Sequence, residues 1–171
     1  MNGVKNTATR GKVLTKVELA YIAGLLDGEG CINIGKITTD YIREVEKRKV
    51  PKYVLSVTVY NTHQETVQWL HELFGGYLQT RYRHPKTWRT NYAWKVSANT
   101  ANDFLKQVVK LLRIKKRQAQ RAIEFQDNQS RFHRAKKGKP AGMSVEDLTF
   151  RENCYQELKA LNKGTLPAET K

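Results

Sequence analysis

Acidic residues are scarce in this chain. Its 171 residues include 16 Asp and Glu against 31 Lys and Arg, for a formal charge of +15 and a pI near 9.9. Cysteine is rarer still: Cys31 and Cys154 stand far apart with no CxxC spacing, which excludes a disulfide scaffold and a zinc-finger site. No apolar run is long enough to cross a bilayer, and the first thirty residues lack a charged stretch leading into an apolar one. Four prolines and 11 glycines are too few for a fibrous or low-complexity chain. The expectation is one folded domain around a single core, with free thiols, in a reducing intracellular compartment: a bacterial or phage-infected cytoplasm, or an organelle. Neither secretion nor a membrane partner is expected.

The positive charge is unevenly placed. Between Gly75 and Asn102 there is no acid, while Arg81, Arg83, Lys86, Arg89 and Lys95 alternate with Tyr77, Tyr82, Trp88, Tyr92 and Trp94. A second acid-free stretch from Asn128 to Val145 carries Arg131, Arg134, Lys136, Lys137 and Lys139. A solvated surface would mix the two signs, whereas clustered bases with interleaved aromatics favour a polyanion through counterion release. Nucleic acid is the first candidate partner.

The pattern divides the chain into a basic arm over 1–14, a core domain over 15–128, a basic linker over 129–143 and a helical extension over 144–171. Thr15 and Glu18 predict a capping box opening a helix that is apolar on more than one side. Within it Ala20, Ala23, Gly24 and Asp27 form a stripe of small residues that would admit a second helix closely. Ile32 and Ile34 alternate with Asn33 and Gly35 as in a half-buried strand, and Val54 to Asn61 alternates likewise. Residues 37–52, mostly charged, read as a loop or ragged extension. Thr62 and Glu65 predict a second capping box, opening a helix that ends at Gly75-Gly76. Strands over 77–83 and 91–97 follow around a loop holding Pro85, then helices near 100–112, 114–127 and 145–162, the last capped by Ser144 and closed by Gly164. This order predicts an α+β fold in which an antiparallel sheet has helices on one face and the other face free.

The residues with the most chemistry are Ile22-Ala23-Gly24-Leu25-Leu26-Asp27-Gly28-Glu29-Gly30. In its Ala-Gly pair, its two acidic positions and its closing glycine this segment resembles the LAGLIDADG homing endonucleases. The helix–two strands–helix–two strands order over about 15–127 and the basic segment Leu112 to Ala119 are similar to that family as well. The resemblance implies a saddle-shaped four-stranded sheet and a site-specific, divalent-metal-dependent DNA endonuclease. Only one motif is present, and single-motif members act as homodimers, so Ala20, Ala23, Gly24 and Asp27 become the expected dimer interface. The resemblance further makes Glu29 a metal-binding catalytic carboxylate, with the carbonyl of Gly28 as second ligand and Mg²⁺ or Mn²⁺ as the ion. Lys115 matches a basic residue near the scissile phosphate, where it would offset developing charge; the plainer reading is a phosphate-contacting surface lysine. His63 falls where relatives place a polar group in the water network, and it equally suits a helix cap.

For base recognition the candidates are Asn33, Ser56, Thr58, Tyr60, Gln79, Arg81, Arg83, Asn91 and Lys95, because Arg pairs with guanine and Asn or Gln with adenine in the major groove. Lys116 and Arg117 join them as contacts to double-stranded DNA. The rival reading is the same fold as a binding module, either an RNA maturase that binds intron RNA or a regulator without catalysis.

Overall fold

The computed structural model describes residues 13–43, 46–81, 89–135 and 144–165; the side chains of 38–43, 46–50, 81 and 130–135 lie outside that description. The elements run α1 (Lys16–Glu29), β1 (Gly30–Arg43), β2 (Glu46–Asn61), α2 (Gln64–Phe74), β3 (Tyr77–Arg81), β4 (Asn91–Ser97), α3 (Ala98–Val108), α4 (Lys116–Ala135) and α5 (Val145–Lys163). The four strands form one antiparallel sheet in the order β1-β2-β4-β3, as the α+β reading requires. The basic arm up to residue 12, the Pro85 loop, Arg83 and residues 136–143 of the linker lie outside the described residues.

Alternation in the strands sends one set of side chains inward. Ile32 and Ile34 of β1, Leu55, Val57 and Val59 of β2, and Trp94 and Val96 of β4 are buried, as are Leu19, Ile22, Ala23 and Leu26 of α1. Apolar residues at positions 19, 22, 23 and 26 follow the helical period, so α1 lies along the sheet on that stripe. Phe74, Trp94 and Phe104 meet edge-on or tilted with ring centroids 4.9–5.9 Å apart, fastening α2, β4 and α3 together. The indole of Trp94 donates to the carbonyl of Gly75 at 2.8 Å, so this large side chain is buried without a stranded N–H.

Local signals account for most element ends. Thr15 Oγ1 accepts from the Glu18 amide at 3.2 Å, and Glu18 accepts from the Thr15 amide at 2.8 Å, completing the expected capping box. Gly75 and Gly76 have φ of +67° and +89°, and Gly164 closes α5 in the left-handed region after the Ser144 N-cap.

Three expectations change. Residues 37–52 are not a loop: β1 and β2 pair continuously from Gly30↔Val59 to Arg43↔Glu46, a hairpin that runs well beyond the rest of the sheet. Ladder hydrogen bonds and the β-branched and aromatic residues Ile37, Thr38, Thr39, Tyr41 and Ile42 outweigh the charge that suggested irregular chain. At α2 the N-cap is His63 and no side chain caps it; instead Asn61 Oδ1 accepts the His63 amide at 2.8 Å. Helix α4 runs without a break through residue 128 to Ala135, and α5 buries Cys154 and Leu158 in the same core as the sheet.

That last helix braces the edge strand. Asn162 Nδ2 donates to the carbonyl of Ile32 at 2.8 Å, occupying an edge acceptor that would otherwise invite another strand. Glu152 meets Lys36 Nζ of β1 at 2.7 Å and accepts from the hydroxyl of Tyr53 on β2. Arg121 of α4 pairs with Glu157 of α5 at 2.8 Å, joining the two helices behind the sheet.

Candidate nucleic-acid interface and catalytic site

The sheet face away from the helices is built by register. Opposite residues in a ladder share a face, so the pairs Asn33↔Ser56, Cys31↔Thr58, Thr58↔Lys95, Tyr60↔Ala93, Tyr77↔Lys95, Gln79↔Ala93 and Arg81↔Asn91 place all of these positions together. Asn33, Gln79 and Lys95 are exposed, and Ser56, Thr58, Tyr60 and Asn91 are half-buried. The expected recognition set apart from Arg83, which lies outside the described residues, therefore shares one sheet face; for Arg81 the backbone register alone places it there. Ala93 is buried even on this face, between Tyr60 and Gln79 in the ladder.

Lys116 is exposed at the start of α4. Arg117 is half-buried, with its guanidinium 4.0 Å from Glu157 of α5.

At one end of this surface α1 delivers the two acids into different surroundings. Asp27 is half-buried and faces the α3–α4 connection, where its Oδ2 accepts from the Arg113 amide and its Oδ1 from the Lys115 amide, both at 2.8 Å. Partial burial would push this carboxyl up, but the amides of Arg113, Lys115 and Ile114 and the Lys115 charge outweigh it and hold the pKa below 3.8. Lys115 Nζ reaches back to the main-chain carbonyl of Asp27. Burial raises the pKa of the Cys31 thiol, and the same ammonium opposes that rise only in part.

Glu29 is exposed at the last position of α1 and has no hydrogen-bond or ion-pair partner among the described residues. No basic residue lies in the last turn of α1; the positive charge at this negative end of the helix dipole comes from Lys115, whose Nζ donates to the Asp27 carbonyl. Gly30 makes the helix-to-strand corner possible: a Cβ there would lie 2.3 Å from Leu26 Cδ1 and 2.5 Å from the Leu26 carbonyl oxygen.

His63 stands at the start of α2, just after the end of β2, where it lines an open depression of about 500 Å³ with Val17, Glu18, Tyr21, Glu65, Thr66 and Trp69. Its Nδ1 lies 2.9 Å from Thr66 Oγ1 and its Nε2 3.8 Å from Glu65. One sequence-derived assignment is corrected: the small-residue stripe is rotated. Ala23 is buried in its own chain and Asp27 faces the α3–α4 connection, whereas Ala20, Gly24 and Gly28 are exposed, and Cβ atoms at Gly24 and Gly28 would meet nothing within 4 Å. With the exposed Val17 and Tyr21 they form the outward face of α1.

Among the described residues no group of three His, Cys, Asp or Glu side chains is placed to hold a metal ion. The oxygen donors at Gly28 and Glu29 suit Mg²⁺, which binds through one or two carboxylates together with substrate phosphates and water.

No protein-family model matches the chain and no curated protein does. Solved structures do. The archaeal intron-encoded homing endonuclease I-Vdi141I, complexed with DNA, superposes with a TM-score of 0.64 at 14% identity over 91% of this chain and 87% of that one. The LAGLIDADG homing endonuclease I-SmaMI, bound to cleaved DNA, gives 0.62 at 14% identity over 95% of this chain, which spans 57% of that longer one. I-CvuI, bound to a DNA target, gives 0.50 at 18% identity over 84% and 96%. The motif helix, the four-stranded sheet with one free face and these likenesses agree: the chain has the LAGLIDADG homing endonuclease fold.

Proposed function

We propose that the protein is a site-specific, divalent-metal-dependent endonuclease for double-stranded DNA that acts as a homodimer inside the cell. The observation that carries this reading is the juxtaposition at the end of α1: an exposed carboxylate, Glu29, with no partner among the described residues, on the same helix end as the Lys115 ammonium held at the Asp27 carbonyl, at the border of a broad polar sheet face. Similarity to homing endonucleases solved with DNA supports the substrate class.

In this reading two chains meet through the outward faces of their α1 helices, where Ala20, Gly24 and Gly28 permit close backbone approach. Each contributes Glu29, so two carboxylates and two Gly28 carbonyls come together on a two-fold axis. A bound Mg²⁺ would supply Lewis-acid polarisation of a phosphoryl oxygen. Glu29 and Gly28 would hold it; Lys115 would place a fixed positive charge by the phosphate, offsetting the charge that grows as the phosphorus becomes five-coordinate. Asn33, Ser56, Thr58, Gln79 and Lys95 would contact base edges in the major groove, and Lys116 would contact phosphates.

The test is cleavage of a randomised duplex library in Mg²⁺, with Ca²⁺ and EDTA as controls and sequencing of the ends. Recurrent paired cuts in Mg²⁺ alone, centred on a pseudo-palindrome and lost in Glu29→Gln with binding retained, are expected. Dimeric binding without cuts would overturn the endonuclease reading and direct the next measurement to intron RNA.

A further inference from the structure

The two acids of the α1 motif are only two residues apart, yet they face different partners. Both carboxylate oxygens of Asp27 are occupied by main-chain amides, from Arg113 and Lys115, at 2.8 Å each. Its main-chain carbonyl also accepts from Lys115 Nζ. One residue thus holds both the backbone and the side-chain end of Lys115. Beyond this point Lys115 is the entry to α4, its carbonyl accepting from the Ala119 amide at 2.9 Å. The connection from α3 is otherwise anchored by buried Leu112 and by the turn in which the amides of Leu111 and Leu112 donate to the Val108 carbonyl. Arg113 and Ile114 are exposed, so little else fixes the chain where it delivers the lysine.

We infer that Asp27 is a positioning residue which, through the Arg113 and Lys115 amides, sets where the Lys115 ammonium stands relative to Glu29. This rests on the endonuclease reading and adds a division of labour within the motif: Glu29 faces the ligand, and Asp27 faces the segment that brings the cation to it. A lysine on a loosely held connection would sample many positions; here its reach is fixed from the same helix end that carries Glu29. Misplacement by about 1 Å costs roughly 100-fold in rate when orientation matters.

The experiment uses the full-length protein and a duplex recovered from the library selection. Asp27→Asn keeps the shape but removes one of the two acceptor oxygens. Single-turnover cleavage at saturating protein is expected to fall by about 100-fold while the Kd for DNA changes by less than about threefold, because the residue acts on the reacting geometry and not on binding. Lys115→Met should show a loss of similar size, and the double variant should be no slower than Lys115→Met alone, because Asp27 acts through that lysine. Multiplying losses in the double variant, or a defect of Asp27→Asn confined to Kd or dimerisation, would overturn the inference. If Asp27→Asn does not fold, Asp27→Ser, which keeps one acceptor, replaces it. A second readout needs no cleavage: Lys115 should react faster with an amine-selective reagent in the Asp27 variant than in the wild type, measured by peptide mass spectrometry. Equal reactivity would overturn the positioning role. A wild type that fails to cut would instead overturn the endonuclease reading, and the labelling comparison would still decide whether Asp27 holds Lys115.

Discussion

Replacing Glu152 by Gln should uncouple α5 from the hairpin in a pH-dependent way. The carboxylate takes hydrogen bonds from Lys36 Nζ at 2.7 Å, from the Tyr53 hydroxyl and, on its other oxygen, from Gln156 at 2.7 Å. The Lys36 hydrogen bond first, then those from Tyr53 and Gln156, lower its pKa from 4.5 to about 2. Taken at full value, that displacement corresponds to about 3 kcal/mol at neutral pH. The Glu152 side chain is 32% exposed and that of Lys36 34%, so solvent screening reduces the figure to about 1 kcal/mol. A depressed carboxylate contributes its full stabilisation above the unfolded-state value and loses it as pH falls toward the folded one. The stability difference between wild type and Glu152→Gln should therefore be about 1 kcal/mol at pH 7, a lowering of Tm by about 2–4 °C. It should shrink below pH 4.5 and vanish near pH 2. Urea unfolding followed by tryptophan fluorescence at pH 7, 5, 4 and 3 measures it. A difference that is absent at pH 7, or undiminished at pH 3, would refute the reasoning.

Other consequences follow from the site. Gly30→Ala should destabilise the fold by about 2 kcal/mol, because its Cβ would collide with the Leu26 side chain and carbonyl; thermal unfolding checks this. Gly24→Ala should leave the isolated chain as stable or up to about 1 kcal/mol more so, since its Cβ enters open space, while Gly24→Leu should abolish self-association in sedimentation. Lys116→Ala should reduce the slope of log K against log salt for duplex DNA by about 1, measured by anisotropy; an unchanged slope would remove Lys116 from the phosphate contacts.

The strands, the free face and the motif helix were legible because two-residue alternation and the residue 19, 22, 23, 26 spacing are local signals that the core then satisfies. The orientation of the small-residue stripe was not: Ala20, Ala23, Gly24 and Asp27 share helical spacing, but with Leu19, Ile22 and Leu26 inward Ala23 follows them into the core, and Gly28 stands outside in place of Asp27. The length of the hairpin was hidden because charge at 37–52 mimics a loop, while the pairing that holds it depends on the partner strand. The bracing of β1 by Glu152 and Asn162 joins residues more than a hundred positions apart, which no short-range pattern encodes.

The end of α1 also carries an electrostatic cost that can be measured. Asp27 and Glu29 both lie where the helix dipole disfavours negative charge, worth roughly 0.3–1 kcal/mol per group near an exposed terminus. Asp27 is held by the amides of Arg113 and Lys115, which with the Ile114 amide and the Lys115 charge outweigh the burial that would raise its pKa. Glu29 has no such hydrogen bond or ion pair among the described residues, and the cation at this helix end, Lys115, is engaged with the Asp27 carbonyl. A residue retained for stability would be expected to find a partner; one that faces a ligand need not. Neutralising it by Glu29→Gln should therefore leave the metal-free protein unchanged or more stable by about 0.5 kcal/mol, while removing Mg²⁺-dependent cleavage. Raising the ionic strength should erase the gain, since an exposed dipole effect is screened. Calorimetry of the free protein in low and high salt decides the point: a destabilised Glu29→Gln would mean that the carboxylate is held by its own chain, and its assignment as the metal-facing group would fall.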